Sequence, residues 1–348
     1  MRIAELVEPR RFRLIECPIS EPAPGEVQVR VHCVGICGSD LHYFAEGGIG
    51  DIPCTYPMVL GHEPTGVVVR TGPGVKGWSP GDRAALEPAI YCYHCEHCLA
   101  GRHNVCANLR FLSMPGDPGY FRDYVNLPVR NLLPLPERLG FREGTIFEPL
   151  AIILHSMKFV TLQPGETAAV FGAGPIGLLT IAVLAMSGAG RIWAVEPVAH
   201  RRDLALAMGA DAAIDLAAAD PVVEILADTR GRGVDVAIDC AAKGGSINHC
   251  VNAARNAGRV VITGIPAETY VPLEFHPIRR KELAIYNVRR SNHESETALD
   301  LLREHTARFA PMLTHALPLE SVQRAFTTLE HYADGVGKVV IDLEKGSA

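Results

Sequence analysis

Residues 168–196 read AAVFGAGPIGLLTIAVLAMSGAGRIWAVE, and the order of features along this stretch decides the fold. The apolar run Ala168–Phe171 predicts a buried strand. It feeds the turn Gly172-Ala-Gly174-Pro175-Ile176-Gly177, which opens a helical run over Ile176–Met186. A second apolar run, Arg191–Val195, ends on the acid Glu196. Strand, G-x-G-x-x-G, helix, strand and acid in that order form a dinucleotide-binding unit. Gly172 permits the tight turn, Gly174 lets backbone N–H groups approach a pyrophosphate, and Gly177 lets the helix pack on the strand. The helix N-terminus then presents its partial positive charge to the phosphates. Glu196, 24 residues after Gly172, is placed to accept the ribose hydroxyls of the adenosine half.

The same rhythm continues outward on the C-terminal side. Further strands are expected at 211–215, 233–239, 258–263 and 283–288, with helices between them such as His200–Met208 and Ser246–Asn256. The alanines at 217–219 read as helix. Six strands in this order make a doubly wound parallel sheet. Beyond 290 the chain turns helical over Glu294–Glu304 and ends on a strand at Gly337–Asp342, expected to rejoin the N-terminal half.

On the N-terminal side the pattern is β-rich. Glu26–Val34 and Gly66–Arg70 alternate, Pro/Gly turns recur, and two short strands follow within 120–150, which suits a small, partly open barrel. The chain has 348 residues, enough for two cores, and a net charge of −6 without a basic block, which disfavours nucleic acid as a partner. No apolar run is long enough to span a membrane. Ten cysteines without a signal-peptide pattern point to a reducing cytoplasm, where clustered thiols bind metal.

Two ligand clusters stand out. Cys92, Cys95, Cys98 and Cys106 give C-x2-C-x2-C-x7-C, four thiolates that can close tetrahedrally round one structural zinc. His94, His97 and His103 read as bystanders. The second set is dispersed: Cys37 in Gly35-Ile-Cys37-Gly-Ser39-Asp40-Leu-His42, then His62 and Glu63, then Glu148. Its mixture of thiol, imidazole and carboxylate suits an open catalytic zinc site.

These motifs together resemble the zinc-dependent medium-chain alcohol dehydrogenase family, and most closely its sorbitol (polyol) dehydrogenase branch. VGICGSDLHYF, GGIGD, YPMVLGHEPTGVVV, PGDRAALEP, EPLA and VFGAGPIGL stand in family order over nearly the whole length. The resemblance implies a GroES-like β-rich catalytic domain (1–152 and 290–348) and a Rossmann domain binding NAD (153–289). It implies a catalytic zinc on Cys37, His62 and Glu63, with Glu148 beside the metal as a ligand or through water. Ser39 and His42 fall on the proton relay, and Asp40 on the carboxylate that orients His62. Zinc would acidify the alcohol and the nicotinamide would take the hydride.

Thr263, Gly264, Ile265, Val288 and Arg289 match segments flanking the nicotinamide; Tyr43, Phe111, Glu148 and Arg289 match the polyol pocket. Glu196 disfavours a 2′-phosphate, whereas Arg201 and Arg202 are of a kind that recruits one; the family carries a basic residue at the position of Arg201 alongside NAD. Arg290 departs from the branch's Tyr and could read an anionic substrate end or serve as a structural pair. Phe121-Arg122-Asp123 also departs. A homotetramer or homodimer is expected. The rival readings are a threonine-type or other secondary-alcohol dehydrogenase, a non-catalytic NAD-binding protein, and a zinc-ribbon nucleic-acid module.

Overall fold

The computed structural model describes residues 1–345, which fall into two compact units. The first comprises 1–148, 295–306 and the tail from 313; the second comprises 149–294 and 307–312. Residues 307–312 group with the second unit, whereas the expected division has all of 290–348 in the first.

In the first unit the strand Glu26–Gly35 is the hub. It pairs antiparallel with Glu63–Thr71, with Tyr124–Pro128 and with the tail strand Lys338–Asp342, inside a seven-stranded sheet. Partnered on both edges, it buries most of its residues rather than alternating cleanly. The tail thus returns to the N-terminal unit as its sequence suggested. The helix Val322–Glu330 buries Val322, Ala325, Phe326 and Leu329, the spacing of one apolar helix face, and sets Phe326 at 5.0 Å from Phe44. Two residues of the Phe121–Asp123 departure have a structural explanation here. Phe121 is buried edge-on against Phe326, and Asp123 takes Arg2 Nη2 at 2.8 Å, tying the first strand to the sheet.

In the second unit six strands lie in the order 212–214, 191–195, 167–171, 234–239, 254–262, 284–287, all parallel. This is the doubly wound order, with the switch point between 167–171 and 234–239; in sheets of this order ligands bind beyond the C-terminal strand ends at that point. The helix Pro175–Met186 is buried from Gly177 through Leu184, so it is apolar all round rather than amphipathic. At the opposite strand ends, Asp235 joins the sheet's base. It accepts the Thr167 N–H at 3.0 Å, the Thr167 hydroxyl at 2.9 Å and Arg255 Nε at 2.7 Å, and pairs with Arg232 at 2.6 Å.

Two local readings are corrected. Residues 217–219 form a turn, not a helix. Asp215 accepts the Ala217 N–H, and Asp220 caps the next helix with Pro221 at its first position; three alanines between two caps cannot nucleate a helix. The helix from Ser246 ends at Ala253 rather than Asn256, because the chain enters the next strand at Ala254.

Candidate active site and cofactor site

The dispersed ligand set converges. Ligand atoms of Cys37, His62 and Glu63 all lie within 4.8 Å of one another. Cys37 sits where the hub strand gives way to the helix Gly38–Glu46, as that helix's N-cap. Glu63 opens the neighbouring strand directly opposite Gly35, where any Cβ would overlap its carboxylate. Glycine is therefore the residue that lets Glu63 turn inward.

Asp40 is almost wholly buried and gathers donors from three segments. It accepts the Cys37 N–H at 3.0 Å, the Gly61 N–H at 3.2 Å and the Ser113 hydroxyl at 2.9 Å, and lies 3.2 Å from His62 Nδ1. Burial alone would raise its carboxyl, but His62 and these donors hold it below the ordinary range. In turn His62 is held well above its ordinary value: burial opposes the charge, and Asp40 and Cys37 outweigh it. With Nδ1 engaged by Asp40, His62 has Nε2 for a metal.

Sequence reasoning missed two partners here. Lys338 is fully buried and pairs with Glu63, its Nζ 2.6 Å from Oε1; burial opposes its charge, and Glu63 and Cys37 keep its pKa raised. Ser113 is the other. The expected Glu148 is buried nearby but outside the 4.8 Å set. Burial pushes its carboxyl up to about 8, with Glu63 and Glu87 adding to the effect against His62 and Lys338. The Oε2 atom of Glu148 is buried without a hydrogen-bond partner, as a carboxylate prepared for a cation would be, whereas both oxygens of Glu63 already face Lys338. The donor set thus fits a zinc ion.

Ser39 and His42 lie three residues apart on one face of the same helix, and His42 Nδ1 meets exposed Glu46 at 3.0 Å. Phe111 sets its ring 5.4 Å from that of His62. Tyr43 is buried in the barrel core.

The four-cysteine loop fits a second zinc. Sγ–Sγ distances are 3.4 Å for Cys92–Cys106, 3.9 Å for Cys95–Cys106 and 4.0 Å for Cys92–Cys98. Tetrahedral zinc at ~2.3 Å from each sulfur has edges of about 3.8 Å. The His94 N–H pulls the Cys92 thiol down to about 5. The neighbouring histidines lie outside the set: His94 faces the Cys92 carbonyl, and His103 meets the Tyr91 ring edge-on and the Tyr93 ring at a tilt.

In the second unit Gly172 adopts φ +95°, and a Cβ there would meet Ala241 at 2.8 Å. A Cβ on Gly177 would strike the Gly172 carbonyl, whereas one on Gly174 would meet only Arg201 Nη1, at 3.9 Å. The open face at Gly174 is the cradle a diphosphate needs. Pro175 and Ile176 begin the helix behind it. Glu196 is buried; its Oε2 accepts the Ala173 N–H at 2.7 Å and its Oε1 the Val198 N–H at 3.0 Å. Arg202 is committed to Asp215 at 2.9 Å and to the carbonyls of Glu196 and Pro197. Thr263 follows a strand end and bonds Ser156 at 3.0 Å; Gly264 donates its N–H to the Asp239 carbonyl at 2.9 Å. Ile265 is exposed, Val288 follows the last strand, and Arg289 and Arg290 come directly after it, Arg290 at φ +54°. Asp239 was missed: buried, it accepts the Ser246 hydroxyl at 2.6 Å and shapes the turn beside Gly264.

Comparison with known proteins gives a consistent result. Residues 23–137 match the family model for the alcohol dehydrogenase GroES-like domain, and 175–304 that for zinc-binding dehydrogenase. The sorbitol dehydrogenase of Bacillus subtilis is 31% identical over 98% of this chain and 97% of its own. A Sinorhizobium meliloti protein described as a zinc-binding dehydrogenase, solved bound to NADP, is 31% identical, with a TM-score of 0.88 over 98% of each chain. L-Idonate 5-dehydrogenase of Escherichia coli is 25% identical, with a TM-score of 0.90 over 98% of this chain and 97% of its own.

Proposed function

This chain belongs to the zinc-dependent medium-chain dehydrogenase family, and from that premise we propose that it oxidises a polyol or sugar-like secondary alcohol with NAD, giving the ketone. The observation that carries the reading is the buried thiol–imidazole–carboxylate cluster of Cys37, His62 and Glu63, with the unpartnered carboxyl of Glu148 at its margin. Zinc held by these residues would supply Lewis-acid polarisation of the substrate hydroxyl. The chain's own groups do the rest. Asp40 orients His62; Ser39 and His42 provide a hydroxyl and an imidazole in series, with Glu46 as the exit to solvent. Polar groups at the site leave a short apolar alcohol with unpaired partners, which favours polyhydric substrates over ethanol.

NAD over NADP rests on Glu196, fixed by two backbone N–H groups where it would meet the ribose hydroxyls and repel a 2′-phosphate. Arg202, already paired with Asp215, offers that phosphate little, and Arg201 lies beside Gly174 where a diphosphate would pass. The NADP-bound relative makes this the point to measure first. Steady-state kinetics with both cofactors, over sorbitol, xylitol, threonine and simple alcohols, test the proposal. Higher kcat/KM with NAD and a vicinal polyol supports it; equal use of both cofactors removes Glu196 from its role. A homo-oligomer working in the cytoplasm belongs to the same reading.

A second reading is favoured by Arg290 and by a relative named for a sugar acid: one end of the substrate is anionic. Under it, Arg290→Tyr selectively loses aldonic acids and polyol phosphates and keeps neutral polyols. An unchanged ranking makes Arg290 structural.

A further inference from the structure

We propose that Ser113 is a positioning residue for the open metal site, delivered to it by the strands that close the four-cysteine loop. The inference rests on the reading of Cys37, His62 and Glu63 as metal ligands.

Asp40 aims His62, so whatever fixes Asp40 fixes the imidazole. Two of its donors are backbone N–H groups, from Cys37 and Gly61, which no side-chain truncation removes. The Ser113 hydroxyl, 2.9 Å from Oδ1, is a side-chain donor that a single substitution removes. Both residues are buried, so no bulk water replaces the lost bond. Ser113 also carries backbone strain: at φ +84° it occupies a region that favours glycine. Its N–H is held by the Asp117 carbonyl at 2.9 Å, and Arg110 Nε reaches Asp117 at 2.9 Å, so the turn is fastened at both ends.

What precedes this turn is the four-cysteine loop. Arg110 and Phe111 pair antiparallel with Ile90 and Ala89, a two-residue ladder that shuts the base of residues 92–106. The last residue of that ladder, Phe111, sets its ring against that of His62, and two residues later Ser113 reaches Asp40. The loop therefore ends in two contacts with the open site, one to the metal-ligating imidazole and one to the carboxylate that orients it.

The test measures zinc affinity of the open site by competition with a chelator, in the full chain, for wild type, Ser113→Gly and Ser113→Ala. Losing an orienting partner of a metal-ligating histidine costs roughly ten- to a hundredfold in affinity. Ser113→Gly should fall by about tenfold while keeping its four-cysteine zinc and a thermal midpoint no lower than wild type, because glycine relieves the strain. Ser113→Ala should fall equally. In an Asp40→Asn background the serine change should add little, since the two residues act in series. Wild-type affinity in Ser113→Gly, or an undiminished loss in the Asp40→Asn background, overturns the proposal while leaving the metal site standing. A wild-type chain holding only the four-cysteine zinc removes the open site, and the proposal with it.

Discussion

Residues 92–106 carry one ligand set within fifteen positions of chain, whereas the other draws on residues 37, 62 and 63, with Glu148 and Lys338 at its margin. The compact set is all thiol and needs only its spacing to close round a metal. The dispersed set mixes thiol, imidazole and carboxylate, and it depends on buried companions: Asp40 behind His62, Lys338 against Glu63, Gly35 giving way to Glu63. A closed site can be written into a local motif because its geometry is local. An open, reactive site has to hold charge away from water, and that requires a core.

The sharpest way to break this contrast is Cys37→Ser. It should cost at least about a thousandfold in kcat/KM, several kcal/mol of transition-state stabilisation, with NAD binding and the four-cysteine metal retained. Loss of both metals would mean that the two sites are not independent. Cys95→Ala should act in the opposite sense, lowering stability first and activity only as a consequence. With free zinc a thousandfold above the site's Kd, the lost stabilisation is about 4 kcal/mol, read from thermal or urea unfolding.

Lys338→Met sharpens the contrast further. It strands the Glu63 carboxylate in the core, which should cost about 3 kcal/mol in metal-free protein. Added zinc should recover part of that stability, because the cation takes over the lysine's role. No recovery would put Glu63 outside the metal site.

The smallest effect is expected in the second unit, at Asp235. Its carboxyl is held below the ordinary aspartate range: burial works against this, and Arg232, Thr167 and Arg255 outweigh it. A depressed native pKa stabilises the fold above the ordinary aspartate value of about 4, and the contribution is lost as pH falls through the native value. Asp235→Asn should cost about 2 kcal/mol at neutral pH and flatten the acid limb of the stability curve. An unchanged acid limb would assign acid sensitivity to other carboxylates.

How far the sequence could be read follows the same divide. The Gly172–Gly177 turn, the strand alternation around it and the four cysteines are short-range patterns, and each lies where its spacing suggests. Cys37, His62 and Glu63 were legible as residue types, and the family resemblance joined them. Lys338, 275 positions from Glu63, follows no spacing rule; its valine-rich strand reads simply as a strand. Ser113 is one serine in a turn, and only its contact with Asp40 marks it. The alanines at 217–219 failed for a local reason: helix propensity was read where the caps at Asp215 and Asp220 already decided the turn.

On the proposed reading the chain would hold two zinc ions, in sites of opposite character. Metal analysis of protein purified without chelator tests it most directly, on wild type, Cys37→Ser and Cys95→Ala together. The account predicts two zinc per wild-type chain and one in each variant, with the metal of Cys95→Ala in the open site and that of Cys37→Ser in the four-cysteine loop. One zinc per wild-type chain, unaffected by Cys37→Ser, would contradict it.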